Sequence, residues 1–229
     1  MYPKIKQTNP NNIGITDVKN DKSLTRPGWI EHSGWDFTPE LLGDFCIFLK
    51  NVLPEKNKYT VIEFGCGSGV MTRCLPESVF YLGLDANQKA GPEIKKLNDP
   101  KKQFIAVDLT APFTLEPPIK ADIIMSFDFF EHIEEFNLEP VIKAVDNLLK
   151  KDGYFFSIID RFPLPEHITN KPIVWWLDIF KRYTNWKLID ACASGYNNNS
   201  FLWTQYEALR PKFWQGNVKH QMFVRYQKV

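Results

Sequence analysis

The chain has 229 residues, a formal net charge of +1, 44% hydrophobic and 24% charged residues, which suits one α/β domain and is too short for two of ordinary size with separate cores. The near-neutral balance and scattered lysines disfavour a nucleic-acid partner. With neither an apolar leader nor 18 apolar residues in a row, export and membrane spanning are not expected, and the chain reads as cytoplasmic.

Residues 1–28, rich in Asn, Lys, Thr and Pro, show little periodicity and read as an irregular N-terminal extension, leaving one domain over 29–229. Thr38 as N-cap and Pro39 at the first helical position open a helix whose apolar stripe is Leu41, Leu42, Phe45, Phe48, Leu49 and Leu53. Four cysteines, at positions 46, 66, 74 and 192, form no CxxC pair. Their spacing argues against a zinc site or a disulfide framework and for small buried residues in a reducing compartment.

From Tyr59 strands and helices alternate, with strands near 59–64, 79–85, 104–108, 121–127 and 154–159. Gly91-Pro92 leaves only Glu93 to Leu97 for a short helix, whereas Asn137 to Lys150 carries Leu138, Val141, Ile142, Val145, Leu148 and Leu149 on one face. Near-continuous apolar strands in this alternation predict a parallel sheet covered on both faces. Beyond it, Arg161 to Pro172 reads as a loop, Pro172 to Tyr183 as a helix, Trp186 to Ala193 as a strand and His220 to Val229 as a terminal strand. Trp175 and Trp176 are adjacent on that helix and cannot face one direction, so at least one belongs to the core.

The most informative segment is Val61-Ile62-Glu63-Phe64-Gly65-Cys66-Gly67-Ser68-Gly69-Val70, an apolar strand running into a glycine-rich turn, followed by a second strand that ends at Asp85. Glycines 65, 67 and 69 allow a sharp bend and close approach of a ligand. Asp85 is placed for the two hydroxyls of a ribose, because parallel strands bring their C-terminal ends together. The glycines fall as GxGxG with Val70 next, so the third glycine of a dinucleotide fingerprint is missing.

Glu63 followed by Gly65, Gly67 and Gly69 resembles the first motif of class I S-adenosylmethionine-dependent methyltransferases, with Glu for the commoner Asp. The resemblance continues in order through Asp85, a third strand ending at Asp108, a fourth over 121–127, and Asp128-Phe129-Phe130-Glu131-His132, which is similar to the "EH" segment after strand four. It implies a Rossmann-like, doubly wound α/β fold: a seven-stranded, mostly parallel sheet in the order 3-2-1-4-5-7-6, the last strand antiparallel. It also implies S-adenosylmethionine as cofactor and S-adenosylhomocysteine as product. The cofactor would be held by Glu63, Gly65, Cys66, Gly67, Gly69, Asp85, Asp108 and the Leu109 amide, with Ser126 and Phe127 near the methionine end.

Methyl transfer to a hydroxyl requires alignment, exclusion of water and removal of one proton. His132 and His167, after strands four and five, are the candidate catalytic bases. Asp128, Glu131 and His132 are spaced i, i+3, i+4 and with His167 can hold a divalent cation; the preferred reading assigns no metal and has His132 at the strand–helix junction with Glu131 and Glu134 facing solvent. His167, Thr169, Pro172, Trp175 and Trp176 are similar to an HxTxxP..WW element of family members encoded among sugar and polysaccharide genes. Substrate or lid elements fall near 29–53 and 161–218, where Trp29, Trp35, Tyr196, Trp203, Tyr206 and Trp214 can line a small-molecule or saccharide site. The resulting expectation is O-methylation of such an acceptor. Alternatives are N-methylation, an NAD(P)-dependent reductase that uses Asp85 on its ribose, and a cofactor-binding protein without turnover.

Overall fold

A computed structural model describes residues 3–7, 39–53, 58–87, 90–165, 167–205 and 220–229. Thr38, Trp29, Trp35, Tyr206 and Trp214 lie outside the described residues. Nine strands are assigned among the described residues: β1 (Lys4–Gln7), β2 (Thr60–Phe64), β3 (Phe80–Asp85), β4 (Lys102–Ala106), β5 (Phe113–Glu116), β6 (Ala121–Phe127), β7 (Leu149–Asp160), β8 (Lys187–Ala193) and β9 (Gln221–Gln227). The α-helices are α1 (Pro39–Val52), α2 (Pro92–Leu97), α3 (Leu138–Leu148) and α4 (Ile173–Tyr183).

Seven strands form the main sheet in the order β4-β3-β2-β6-β7-β9-β8. Counting only these strands along the chain, the order is the expected 3-2-1-4-5-7-6. The pairs among β4, β3, β2, β6 and β7 are parallel, and β9 runs antiparallel to both β7 and β8.

Alternate side chains leave the sheet in opposite directions, and each face has its own cover. Ile62, Leu82, Ile124 and Phe155 join a cluster with Leu138, Val141, Ile142 and Val145 of α3 and Trp176 and Phe180 of α4. Their neighbours Val61, Tyr81, Ile123 and Phe156 pack instead with Phe45, Phe48, Leu49 and Val52 of α1. Trp176 is fully buried, while Trp175 is half-buried with the Lys171 ammonium over its ring. That division follows from the 100° step between adjacent helical residues.

Four features depart from the sequence expectations. Lys4–Gln7, assigned to an irregular extension, forms β1 and pairs antiparallel with β5, Lys4 opposite Glu116; neither four-residue strand carries an apolar run that would mark it. The third sheet strand ends at Ala106 instead of Asp108, leaving Asp108 in the connection just past the strand end. The expected helix to Lys150 stops at Leu148 and β7 begins at Leu149, because Leu149 already has extended backbone. Cys46 and Cys74 are joined by a disulfide, with Cα atoms 4.5 Å apart; this overturns the reading of all four cysteines as unpaired. The folding of α1 against the short 3-10 turn Val70–Cys74 brings the two sulfurs together, which spacing along the chain does not reveal. Cys66 and Cys192 are buried thiols as expected.

Candidate active site

The register of the sheet sets where the motif residues lie. Phe64 pairs with Leu84 on one side and Ser126 on the other, Asp85 with Ala106, and Phe127 with Ile158. The strand ends therefore stop at one common edge. Hydrogen bonds carry the alignment past the strands: the amides of Gly65 and Cys66 both donate to Leu84 O, Val107 N to Asp85 O and Asp128 N to Ile158 O. Ligands in open α/β sheets bind outside this carboxyl edge.

Asp85 organises the glycine turn. Its Oδ2 accepts from Gly67 N at 2.9 Å and its Oδ1 from Asn87 N at 2.8 Å. Burial pushes its carboxyl above the ordinary range, and those two amide bonds pull it back. A carboxylate offers about four lone-pair sites, so two amide bonds leave acceptor capacity for a pair of ribose hydroxyls. Asp108 is oriented in a similar way, its Oδ1 accepting from Thr110 N at 2.9 Å and Thr110 Oγ1 at 2.7 Å. Two oriented carboxylates, one at the end of β3 and one just past the end of the adjacent β4, fit an adenosyl group. Asp85→Ala should weaken S-adenosylmethionine binding by about 1–3 kcal/mol, measured by calorimetric titration; unchanged affinity would mean that Asp85 serves only the turn.

The turn itself is packed by protein. Gly65 has φ +70°, and a Cβ there would lie 2.5 Å from Phe129 Cδ2. The glycine thus lets the segment after β6 close over the loop.

Other expected cofactor residues are placed more deeply. Glu63 is 2% exposed and accepts a hydrogen bond from the Tyr81 hydroxyl; burial pushes its carboxyl up to about 8, with the Tyr81 bond opposing and the Asp85 charge adding. Cys66 is buried and its thiol is likewise pushed up by burial. The Ser126 hydroxyl lies within the sheet 2.9 Å from Ser157 Oγ, and Phe127 packs edge-on against Phe45 and Phe156. Leu109 contributes its side chain to the core. The side chains of these residues are thus committed to contacts within the protein.

The second half of the site follows β6. Asp128 has φ +46°, and a 3-10 turn spans Phe130–His132. Phe130 drives this turn inward, packing edge-on against Phe155, Trp176 and Phe180. Glu131 is consequently carried inside: it is 0% exposed, which corrects the expectation that it faces solvent, whereas Glu134 is exposed. Its Oε1 accepts from Asp160 N at 2.9 Å, and Oε2 has no hydrogen-bond partner among the described residues. Burial, followed by the Asp128 charge, pushes its carboxyl well above the ordinary range.

The loop after β7 brings His167 to this turn. Thr169 N donates to Glu131 O at 2.9 Å and Thr169 Oγ1 to Ile133 O at 2.6 Å. His167 Nδ1 lies 2.7 Å from Phe162 O. A carbonyl only accepts, so Nδ1 carries the proton and Nε2 holds the lone pair in the neutral ring. The rings of His132 and His167 are 4.9 Å apart at 77°. Both expected catalytic residues therefore meet, and they meet at the buried Glu131. The contacts of Asp160 and Thr169 with Glu131 were not legible in the sequence, since each joins segments about 30 or more residues apart.

Trp203 is buried in the α1-side cluster and Tyr196 is half-buried against the other, so neither is an open aromatic platform. No described helix is long and apolar enough to cross a membrane.

Residues 36–210 match a family model described as a methyltransferase domain. Thiocyanate methyltransferase 1 of Arabidopsis thaliana is 30% identical over 115 residues, 47% of this chain and 48% of that protein; the match thus spans about half the length of this curated relative. Among solved structures, the N-methyltransferase NodS from Bradyrhizobium japonicum is similar with a TM-score of 0.55 and 12% identity, over 82% of this chain and 94% of that one. A phosphoethanolamine N-methyltransferase 2 from Haemonchus contortus, in complex with S-adenosyl-L-methionine, matches with a TM-score of 0.56 and 13% identity, over 88% of this chain and 55% of that one. With the family model spanning most of the sheet and the strand order that of the class, the chain belongs to the methyltransferase-domain family, the class I S-adenosylmethionine-dependent methyltransferases.

Proposed function

We propose that the protein methylates a hydroxyl of a small molecule or saccharide. The observation that carries this reading is the convergence of His132 and His167 on buried Glu131 at the carboxyl edge of the sheet. S-adenosylmethionine, when bound, supplies an electrophilic methyl on a sulfonium and leaves as S-adenosylhomocysteine. The chain's own task is to hold the acceptor, exclude water and take the proton that a hydroxyl must lose. An imidazole with a free Nε2 lone pair suits that task near neutral pH. Asp85 and Asp108 are the groups proposed to hold the ribose and the adenine, and the amides at 65–67 and 109 to complete the cradle.

A methyltransferase acting on a neutral amine needs no such base before the transfer, although two of the similar proteins are named as N-methyltransferases. Incubating the purified protein with methyl-labelled S-adenosylmethionine and separate panels of sugar-nucleotide, phenolic and amine acceptors tests the choice. Label on hydroxyl acceptors alone supports the proposal; label on amines alone replaces it with the N-methyl reading. Cofactor binding with no transfer to any panel would favour a protein that binds the cofactor without turnover.

A further inference from the structure

We propose that Glu131, His132 and His167 form a binding site for one divalent first-row transition-metal cation, with coordination positions left over for oxygens of the acceptor. Each of the three residues offers one ligand atom, and these atoms lie within 4.8 Å of one another. Ligands about 2.0–2.2 Å from a common ion are at most about 4.4 Å apart, so small side-chain rotations bring the set to bonding distance.

Three independent features point to a ligand here. The first is the orphaned acceptor Oε2 on the fully buried side chain of Glu131, a carboxylate with an oxygen within 4.8 Å of a ring nitrogen of each imidazole. Such an atom costs about 1–3 kcal/mol when unsatisfied, and a cation satisfies it. The second is how the candidate ligands are held from behind. His167 Nδ1 donates to Phe162 O, and Glu131 Oε1 accepts from Asp160 N. Metal-binding histidines almost always carry such a bond on the other ring nitrogen, which fixes the ring and its tautomer. The third is the rigidity of the platform: Thr169 ties the loop of His167 to the backbone of Glu131 and Ile133, and Phe130 anchors the turn in the core.

The donor set selects the ion. Two imidazole nitrogens and one carboxylate oxygen suit zinc, cobalt, iron or nickel; magnesium and calcium prefer all-oxygen shells. Three protein ligands leave at least one position open in a tetrahedral or larger shell. The use of that position for the acceptor rests on the hydroxyl-methylation reading given above, with the histidines of the cation-bound protein acting as ligands in place of bases, because a ring nitrogen that donates its lone pair to a cation cannot also take a proton; the binding of the cation does not.

The full chain, stripped with EDTA and dialysed, should bind one equivalent of Co²⁺ with a visible absorption band of nitrogen and oxygen ligation, and Zn²⁺ should displace it. His132→Ala, His167→Ala and Glu131→Gln should each lower Co²⁺ affinity at least about tenfold while retaining S-adenosylmethionine binding. If an alanine variant does not fold, as judged by its melting curve, His132→Gln and His167→Gln take its place. Absence of stoichiometric binding, or binding that these substitutions leave unchanged, overturns the site and leaves a buried structural carboxyl with two histidines. Full methyl transfer to a hydroxyl by EDTA-stripped protein that binds no Co²⁺ would sink the cation and spare the proposed function. Tight Co²⁺ binding with label only on amines would do the reverse.

Discussion

His132→Ala should reduce methyl transfer to a hydroxyl acceptor by about 10²–10⁴-fold, the range for removing a positioned proton-transfer group, with S-adenosylmethionine affinity unchanged. The separation is expected because the two halves of the site rest on different anchors. The proposed cofactor half rests on Asp85 and its bonds to Gly67 and Asn87. The proposed acceptor half rests on a 3-10 turn whose bond, His132 N to Phe129 O at 3.1 Å, is made by the backbone and does not need the imidazole. Single-turnover measurements with saturating cofactor isolate the chemical step from product release. Normal turnover in this variant would place the acceptor away from the histidines; loss of cofactor binding would mean that the turn and the glycine loop are mechanically coupled through Phe129.

The route such a coupling would take is visible in the packing of Phe129. Phe129 covers Gly65 so closely that any Cβ would collide with it, and the ring also lies edge-on to Phe64 and Phe130. One aromatic side chain therefore touches the glycine loop, the strand before it and the 3-10 turn that carries His132. Gly65 leaves room for close approach of a ligand, and a neighbouring side chain, Phe129, needs the same space.

What was legible in the sequence was whatever the pattern of one segment determines. Val61 to Phe64 and Ala121 to Phe127 are apolar nearly throughout because both faces of a central parallel strand are covered. The carboxylates at 85 and 108 were readable because each closes an apolar strand or lies just beyond one. Long-range pairing was a different matter. β1 meets β5 across more than a hundred residues, with Lys6 opposite Thr114, and Cys46 meets Cys74 through the packing of α1 on the turn Val70–Cys74. Glu131 was misplaced for a related reason. In Glu131-His132-Ile133-Glu134-Glu135 the acids read as a solvated face, yet Phe130 is held in the core by three rings from β7 and α4, which rotates Glu131 inward and leaves Glu134 outside.

The buried pair of Glu63 and Tyr81 predicts an unusual pH dependence of stability. Glu63 lies on the α1 side of the sheet with Tyr81 as its hydrogen-bond partner, and burial pushes its carboxyl from the ordinary range up to about 8. The folded protein therefore retains a proton that the unfolded chain loses near 4.5. The contribution of this group is fully present below about pH 4.5 and is lost as pH rises through about 8. By linkage the loss is on the order of a few kcal/mol. Glu63→Gln holds the neutral form permanently, at the expense of a buried amide N–H pair that has no assigned acceptor. The variant should be less stable than the native protein near pH 5 by about 1–3 kcal/mol and more stable near pH 9. Urea denaturation at both pH values measures the difference directly, and subtracting the variant removes the titration of more distant carboxyls, although Asp85, which adds to the shift of Glu63, will not cancel fully. A stability difference that stays constant between pH 5 and 9 would show that Glu63 is ionised in the folded state.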